Sequence, residues 1–213
     1  MTYRLVIVGG GNMGAALVGG LLAADGGGWA VSDLAIVEVL ASRAEQLRAL
    51  FAGIAVTDVV PACEAAVIAV KPPSVPAACT AAAAAGATRL LSIAAGVPLA
   101  MLQAAAGAQV AVVRAMPNTP ALVGQGAAAI SAGATAGDSD MAWAESILGA
   151  VGTVVRVPES QLDAVTGLAG SGPAYLFLVA ESLIDAGVAA GLSHGDSESL
   201  VTQLFVGSAA LLQ

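Results

Sequence analysis

Four apolar residues, Leu5-Val6-Ile7-Val8, run straight into Gly9-Gly10-Gly11-Asn12-Met13-Gly14, and a proline-free stretch rich in Ala and Leu follows from Ala15 to Ala24. Strand, glycine turn and helix form the setting in which the spacing G-x-G-x-x-G has a mechanical meaning. Gly9 permits the tight turn, Gly11 lets the backbone approach a pyrophosphate, and Gly14 lets the helix pack closely on the strand. Unpaired N–H groups and the helix dipole then favour negative phosphates at the helix start. The stretch therefore predicts a strand, a crossover helix and a dinucleotide ligand, the alternative being a glycine turn that serves structure alone.

The rest of the chain repeats the alternation. Leu34 to Val39 reads as a second strand, followed by a helix through Leu50. Ile54 to Thr57 reads as a third strand. Ala65 to Val70 is a continuous apolar run that fits a strand buried on both faces, and it stops at Lys71-Pro72-Pro73 because proline cannot continue a ladder. A helix is expected over Pro76–Ala85, a strand over Leu90–Ile93, a helix over Leu99–Ala106 and a strand over Val110–Val113. Gln125–Ile130 and Thr153–Val157 form a last strand pair around a helix over Asp138–Leu148. Strands alternating with helices predict an α/β fold, a doubly wound parallel sheet of Rossmann type over residues 1–158. From Gln161 onward the pattern is helical only: a segment to Leu168, a long helix from Pro173 to Ala190, and a last helix from Glu198 to Leu212. Residues 159–213 are thus expected to form an all-helical domain, too small to bury its apolar faces alone and so packed on a second subunit.

Composition narrows the function classes. The net charge of −8 argues against nucleic acid, whose phosphates demand a basic face. Hydrophobic residues make up 58% of the chain, which raises the question of a membrane. The best candidate span, Ala174 to Ala190, carries Glu181 and Asp185, and the expectation is no membrane and a cytoplasmic location. Those two carboxylates read as the polar stripe of an amphipathic helix, and His194 as a surface residue. Cys63 and Cys79 have no metal-ligand spacing and read as reduced core thiols; no metal is expected.

Where the second strand ends, such folds read the adenosine ribose: a carboxylate there favours NAD and an arginine favours NADP. Glu38 falls before the last residue of the expected strand, whereas Ser42 and Arg43 lie just beyond it, where a phosphate fits and Arg pairs with it. The pattern favours NADP, with NAD possible.

Several blocks, in order along the chain, resemble pyrroline-5-carboxylate reductases. They are the glycine loop, Val70-Lys71-Pro72, Ser92-Ile93-Ala94-Ala95-Gly96-Val97, Arg114-Ala115-Met116-Pro117-Asn118-Thr119-Pro120-Ala121, and Asp163 through Gly170-Ser171-Gly172-Pro173-Ala174-Tyr175. The last two blocks are the specific ones. The resemblance implies NAD(P)H-dependent reduction of 1-pyrroline-5-carboxylate to L-proline, a homodimer or higher oligomer, and a C-terminal helical dimerisation domain. It implies cofactor contacts at Gly9, Gly11, Asn12, Met13, Gly14, Ser42, Arg43, Val70, Lys71, Pro72, Ala94, Ala95, Gly96 and Asn118, with Asp58 the nearest candidate on the adenine side. The family's Ser-Pro-Gly-Gly-Thr-Thr substrate loop has no counterpart in these residues, so the helical domain is expected to be truncated.

Reduction of a protonated cyclic imine needs little covalent help, since the coenzyme carries the hard chemistry; a chain with one histidine suits it. No catalytic residue is fixed by pattern. Lys71, Asn118, Thr119, Thr166 and Ser171 are the candidates, with strand-end solvation, turn chemistry and helix capping as their structural alternatives. A related-fold dehydrogenase is disfavoured because Gln161–Ala190 contains no Lys or His for a general acid. The remaining alternative is a non-catalytic dinucleotide-binding or dimerisation protein.

Overall fold

The computed structural model describes residues 1–23 and 28–212, so the expected helix end at Ala24 lies outside the described residues. The chain divides into two compact units, Met1–Gly170 and Ser171–Gln213.

The first unit is an eight-stranded sheet. Its strands are β1 (Leu5–Val8), β2 (Leu34–Val37), β3 (Ala55–Thr57), β4 (Ala65–Ile68), β5 (Arg89–Ser92), β6 (Ala111–Met116), β7 (Gly126–Ala132) and β8 (Gly152–Arg156), in the spatial order 3-2-1-4-5-6-7-8. From β3 across to β6 every pairing is parallel. That order, with β1 at the reversal point, is the dinucleotide-binding arrangement. Alternation along the strands explains its two layers. Leu5 and Ile7 face one side with Leu34, Ile36 and Val67, against α1 (Asn12–Leu22), α2 (Ala41–Leu50) and α5 (Asp138–Gly149). Val6 and Val8 face the other side with Ala66 and Ile68, against α3 (Val75–Ala84) and α4 (Leu99–Ala106). A strand covered on both faces reads as a continuous apolar run, which is why β1, β2 and β4 were visible in the sequence.

The sheet is not parallel throughout. β7 runs antiparallel to β6, and β8 pairs parallel to β7. Only a short 3-10 turn, Thr119–Val123, closed by Gly124 at φ 72°, joins β6 to β7. A parallel return needs a crossover of a dozen or more residues, whereas a short connection permits an antiparallel one. Strand ends differ as well. The expected β2 reached Val39, but it stops at Val37 because the Leu40 amide turns back to Glu38 Oε1 at 2.9 Å. β4 stops at Ile68, which leaves Val70 and Lys71 in the loop that follows.

The first unit ends in α6 (Leu162–Val165) and a π-helical turn, Thr166–Gly170. In the second unit, α7 (Gly172–Ala189) packs on α8 (His194–Ala210). The last helix begins at His194 rather than Glu198. Ser193 caps it, its Oγ accepting from Asp196 N at 3.1 Å, so the expected turn is the helix's first turn. The stretch Glu159–Ala189 is long and apolar enough to cross a membrane by length and composition, and none of its best window is buried within this one chain.

Candidate active site

Parallel strands deliver their following loops to one edge of the sheet, and in such folds ligands bind at that edge beside the reversal point, here β1. The glycine loop fills the centre of that edge. Gly9 has φ 113°, and a Cβ there would lie 2.6 Å from Ala69 O, so the turn passes hard against the end of β4. A Cβ on Gly14 would run into Gly9 O and lie 3.2 Å from Ile7 Cγ2, so helix α1 and strand β1 touch through it. Gly11 differs: a Cβ there meets nothing within 4 Å. It is the N-cap of α1, with no side-chain cap and no acidic residue in the first turn. The amides at the start of α1 are therefore left for an outside acceptor, and the open space over Gly11 is the cradle that the phosphates of a dinucleotide fit.

The loop after β2 is latched to the glycine loop. Gly10 N donates to Glu38 Oε2 at 3.2 Å and Leu40 N donates to Oε1 at 2.9 Å, while Arg43 Nε donates to Gly10 O at 2.7 Å. Arg43 also reaches Gln46 Oε1 at 3.1 Å. Arg43 thus stands beside the glycine loop, with Ser42 exposed next to it in the first turn of α2. Glu38 is the first residue past β2 rather than an interior strand residue, so the ground for setting it aside at the ribose position is corrected. Its carboxylate is held by two backbone amides, a role that spacing alone did not reveal.

The other edge loops follow in order. Asp58 is exposed just after β3. Lys71 is exposed and precedes the 3-10 turn Pro72–Ser74. Ala94 is buried while Ala95 and Gly96 are exposed, and the turn is set by Ser92, whose Oγ accepts from Ala94 N at 3.4 Å. Asn118 is buried, and both ends of its amide go to backbone: Oδ1 accepts from Ala127 N at 2.8 Å and Nδ2 donates to Ala169 O at 3.1 Å. It ties β6 to β7 and to the π-helical turn. Thr119 is exposed at the start of the 3-10 turn. Thr166 Oγ1, at the start of the π-helical turn, donates back to Leu162 O of α6 at 2.8 Å. Ser171 belongs to the second unit, where it is the N-cap of α7 without a side-chain cap bond.

A second polar cluster was missed by sequence reasoning. Glu159 Oε1 accepts from Leu99 N at 2.6 Å and from Arg114 Nη1 at 2.8 Å. Partial burial raises the Glu159 pKa, but the Leu99 amide and Arg114 outweigh it and hold the carboxyl below its usual range. The Cys63 and Cys79 thiols are buried, and desolvation pushes each up to about 11.

Comparison with known proteins fits this geometry. Residues 4–96 match the family model described as NADP oxidoreductase coenzyme F420-dependent, and residues 159–213 match that for pyrroline-5-carboxylate reductase dimerisation. The pyrroline-5-carboxylate reductase of Mycobacterium tuberculosis (strain CDC 1551 / Oshkosh) is 42% identical over 220 residues, a match that covers 98% of this chain and 73% of that protein. This chain belongs to the pyrroline-5-carboxylate reductase family. The Pseudomonas aeruginosa reductase is 39% identical over 222 residues, 99% of this chain and 78% of that one. Among solved structures, a pyrroline-5-carboxylate reductase from Coxiella burnetii superposes with TM-score 0.89 at 30% identity, over 99% of this chain and 80% of that chain. A Plasmodium falciparum pyrroline carboxylate reductase with NADP bound superposes with TM-score 0.82 at 28% identity, over 99% and 78%. The family's members are oxidoreductases, and the doubly wound sheet followed by a helical dimerisation region is its architecture.

Proposed function

We propose that this reductase-family chain converts 1-pyrroline-5-carboxylate to L-proline, the last step of proline biosynthesis, with NADPH as the preferred coenzyme. The observation that carries the reading is the cradle over Gly11, open at the start of α1 and flanked by Arg43. A dinucleotide held there by its diphosphate would supply hydride from its reduced nicotinamide end. The protein's part is placement: the Gly11–Gly14 amides take the diphosphate, Ser42 and Arg43 take the adenosine phosphate, and the loops at Val70–Pro72 and Ala94–Gly96 bound the nicotinamide end. Asn118 acts as a positioning residue, since its amide is committed to backbone. Lys71, Thr119, Thr166 and Ser171 remain the candidates for contact with the imine acid. The division at 158/159 into a coenzyme domain and a helical domain belongs to the same reading, as do a homodimer built through residues 159–213 and a cytoplasmic location.

The test is loss of reduced-nicotinamide absorbance with pyrroline-5-carboxylate as substrate. Substrate-dependent oxidation of NADPH, faster than that of NADH, is expected; no turnover with either coenzyme rejects the proposal. Arg43→Ala is expected to raise the KM for NADPH by about tenfold, the loss of one charge-assisted phosphate contact, and to leave the KM for NADH little changed.

A further inference from the structure

The opposite rim of the sheet carries a second cavity, of about 580 Å3, which lies within the range of small-molecule sites. It opens at the amino ends of β1, β4 and β5, where Arg4, Glu64 and Arg89 stand immediately before or at the strand starts. The coenzyme loops lie one strand length away, roughly 13 Å for four residues. Both tryptophans of the chain line this cavity. Arg4 stacks over Trp29 at 4.5 Å from the ring centre, and Arg89 over Trp143 at 5.6 Å. Each guanidinium is paired with one carboxylate, Arg4 Nη1 with Asp33 at 2.9 Å and Arg89 Nε with Asp140 at 3.5 Å. Each keeps further N–H donors, and the Arg4 side chain is 52% exposed and that of Arg89 35%.

Between the two arginines along this edge stands a group of the opposite sign, Glu64, immediately before the strand that lies between β1 and β5. The Glu64 carboxylate makes no ion pair among the described residues. Gly149 and Ala150 bring the carbonyl end of α5, the negative end of its dipole. Two stacked guanidiniums with a carboxylate between them, the carbonyl end of a helix and two indoles give one cavity both signs of charge beside apolar surface. We propose that this cavity is a binding site for a free α-amino acid with an apolar side chain. Its carboxylate meets Arg4 and Arg89 in the forked geometry that guanidinium favours. Its ammonium meets Glu64 and the end of α5, and its side chain lies on the indoles. The site is separate from the coenzyme crevice and does not depend on the reductase reading.

Because both tryptophans line the cavity, intrinsic tryptophan fluorescence of the full chain reports its occupancy. The probes are L-leucine, 4-methylpentanoate, which lacks its ammonium, and 3-methylbutylamine, which lacks its carboxylate. A saturable change is expected with L-leucine, with each single-charge analogue at least about tenfold weaker, the cost of one lost charge-assisted contact. Arg89→Gln and the exposed-site change Glu64→Gln are each expected to weaken L-leucine by a similar factor, with the thermal midpoint of Glu64→Gln unchanged. No saturable change with L-leucine overturns the proposal. So does equal binding of 4-methylpentanoate, which marks a plain anion site, or unaltered L-leucine affinity in Glu64→Gln.

Discussion

Gly9 and Gly11 stand two positions apart and answer to different constraints. Gly9 adopts φ 113° with Ala69 O in the way of any Cβ, so Gly9→Ala strains the backbone and forces β1 and β4 apart. Gly11 has φ −63° and open space at its Cβ direction. We expect Gly9→Ala to lower stability by about 2–4 kcal/mol in urea titration, in the class of strain at a special backbone angle. Gly11→Ala should cost no more than about 1 kcal/mol, the N-cap preference alone, while weakening coenzyme at least about tenfold by calorimetry, since the new methyl fills the cradle. Asn118 is a third kind of residue. Asn118→Ala strands Ala127 N and Ala169 O, so its loss of activity should come with about 1–3 kcal/mol of lost stability. The glycine pattern was legible in the sequence because the turn it makes is local, Gly14 lying against Gly9 and Ile7, although the Ala69 contact of Gly9 was not. The partners of Asn118 lie 9 and 51 residues away, and those of Glu38 include an amide 28 residues back, so no local pattern announced either role.

Between elements, Glu159 is the tie that matters most to the site's frame. It joins the start of α4, the middle of β6 and the turn that leads into α6 through one carboxylate oxygen. Its pKa is depressed in the fold, so its contribution is present above the ordinary carboxylate pKa and is lost as pH falls through the depressed value. Thermal scans on the acid side of about pH 4.5 should therefore show wild type losing more of its midpoint than Glu159→Gln does. At neutral pH Glu159→Gln should melt a few degrees lower, about 2–4 °C per kcal/mol for a chain of this length, because the carboxylate is partly exposed and solvent screens it. At this scale the sequence told a good deal about the order of elements and less about their ends. The continuous apolar runs of β1, β2 and β4 and the proline before α3 were readable, since burial on both faces and missing N–H groups act locally. The reversal at β7 was not, because direction depends on where a nine-residue connection lands. Helix α8 began four residues early because the Ser193 cap outweighs the turn signals of Gly195 and Asp196.

At the level of the whole molecule, the helical unit poses the largest unsolved burial. None of the residues of α7 is buried in the single chain, and Phe177 and Leu178 are each 65% exposed. A pair of helices this short has too little interior to cover such a face by itself. Two coverings compete on composition, a lipid bilayer and a second copy. Glu181 and Asp185 lie exposed on the same helix, and a charge costs about 2.5–3.5 kcal/mol at the centre of a bilayer. A protein interface needs only about 800 Å2 per partner and tolerates charges at its rim. The match of residues 159–213 to a dimerisation family tips the balance the same way. If a second copy covers α7, the thermal midpoint must rise with protein concentration, since association stabilises the folded state by mass action. Phe177→Asp should sediment as a smaller species, lose that concentration dependence and retain the far-ultraviolet helix signal of the first unit. Wild-type sedimentation of this variant, with its midpoint still climbing with concentration, would show that α7 is covered by something other than its counterpart.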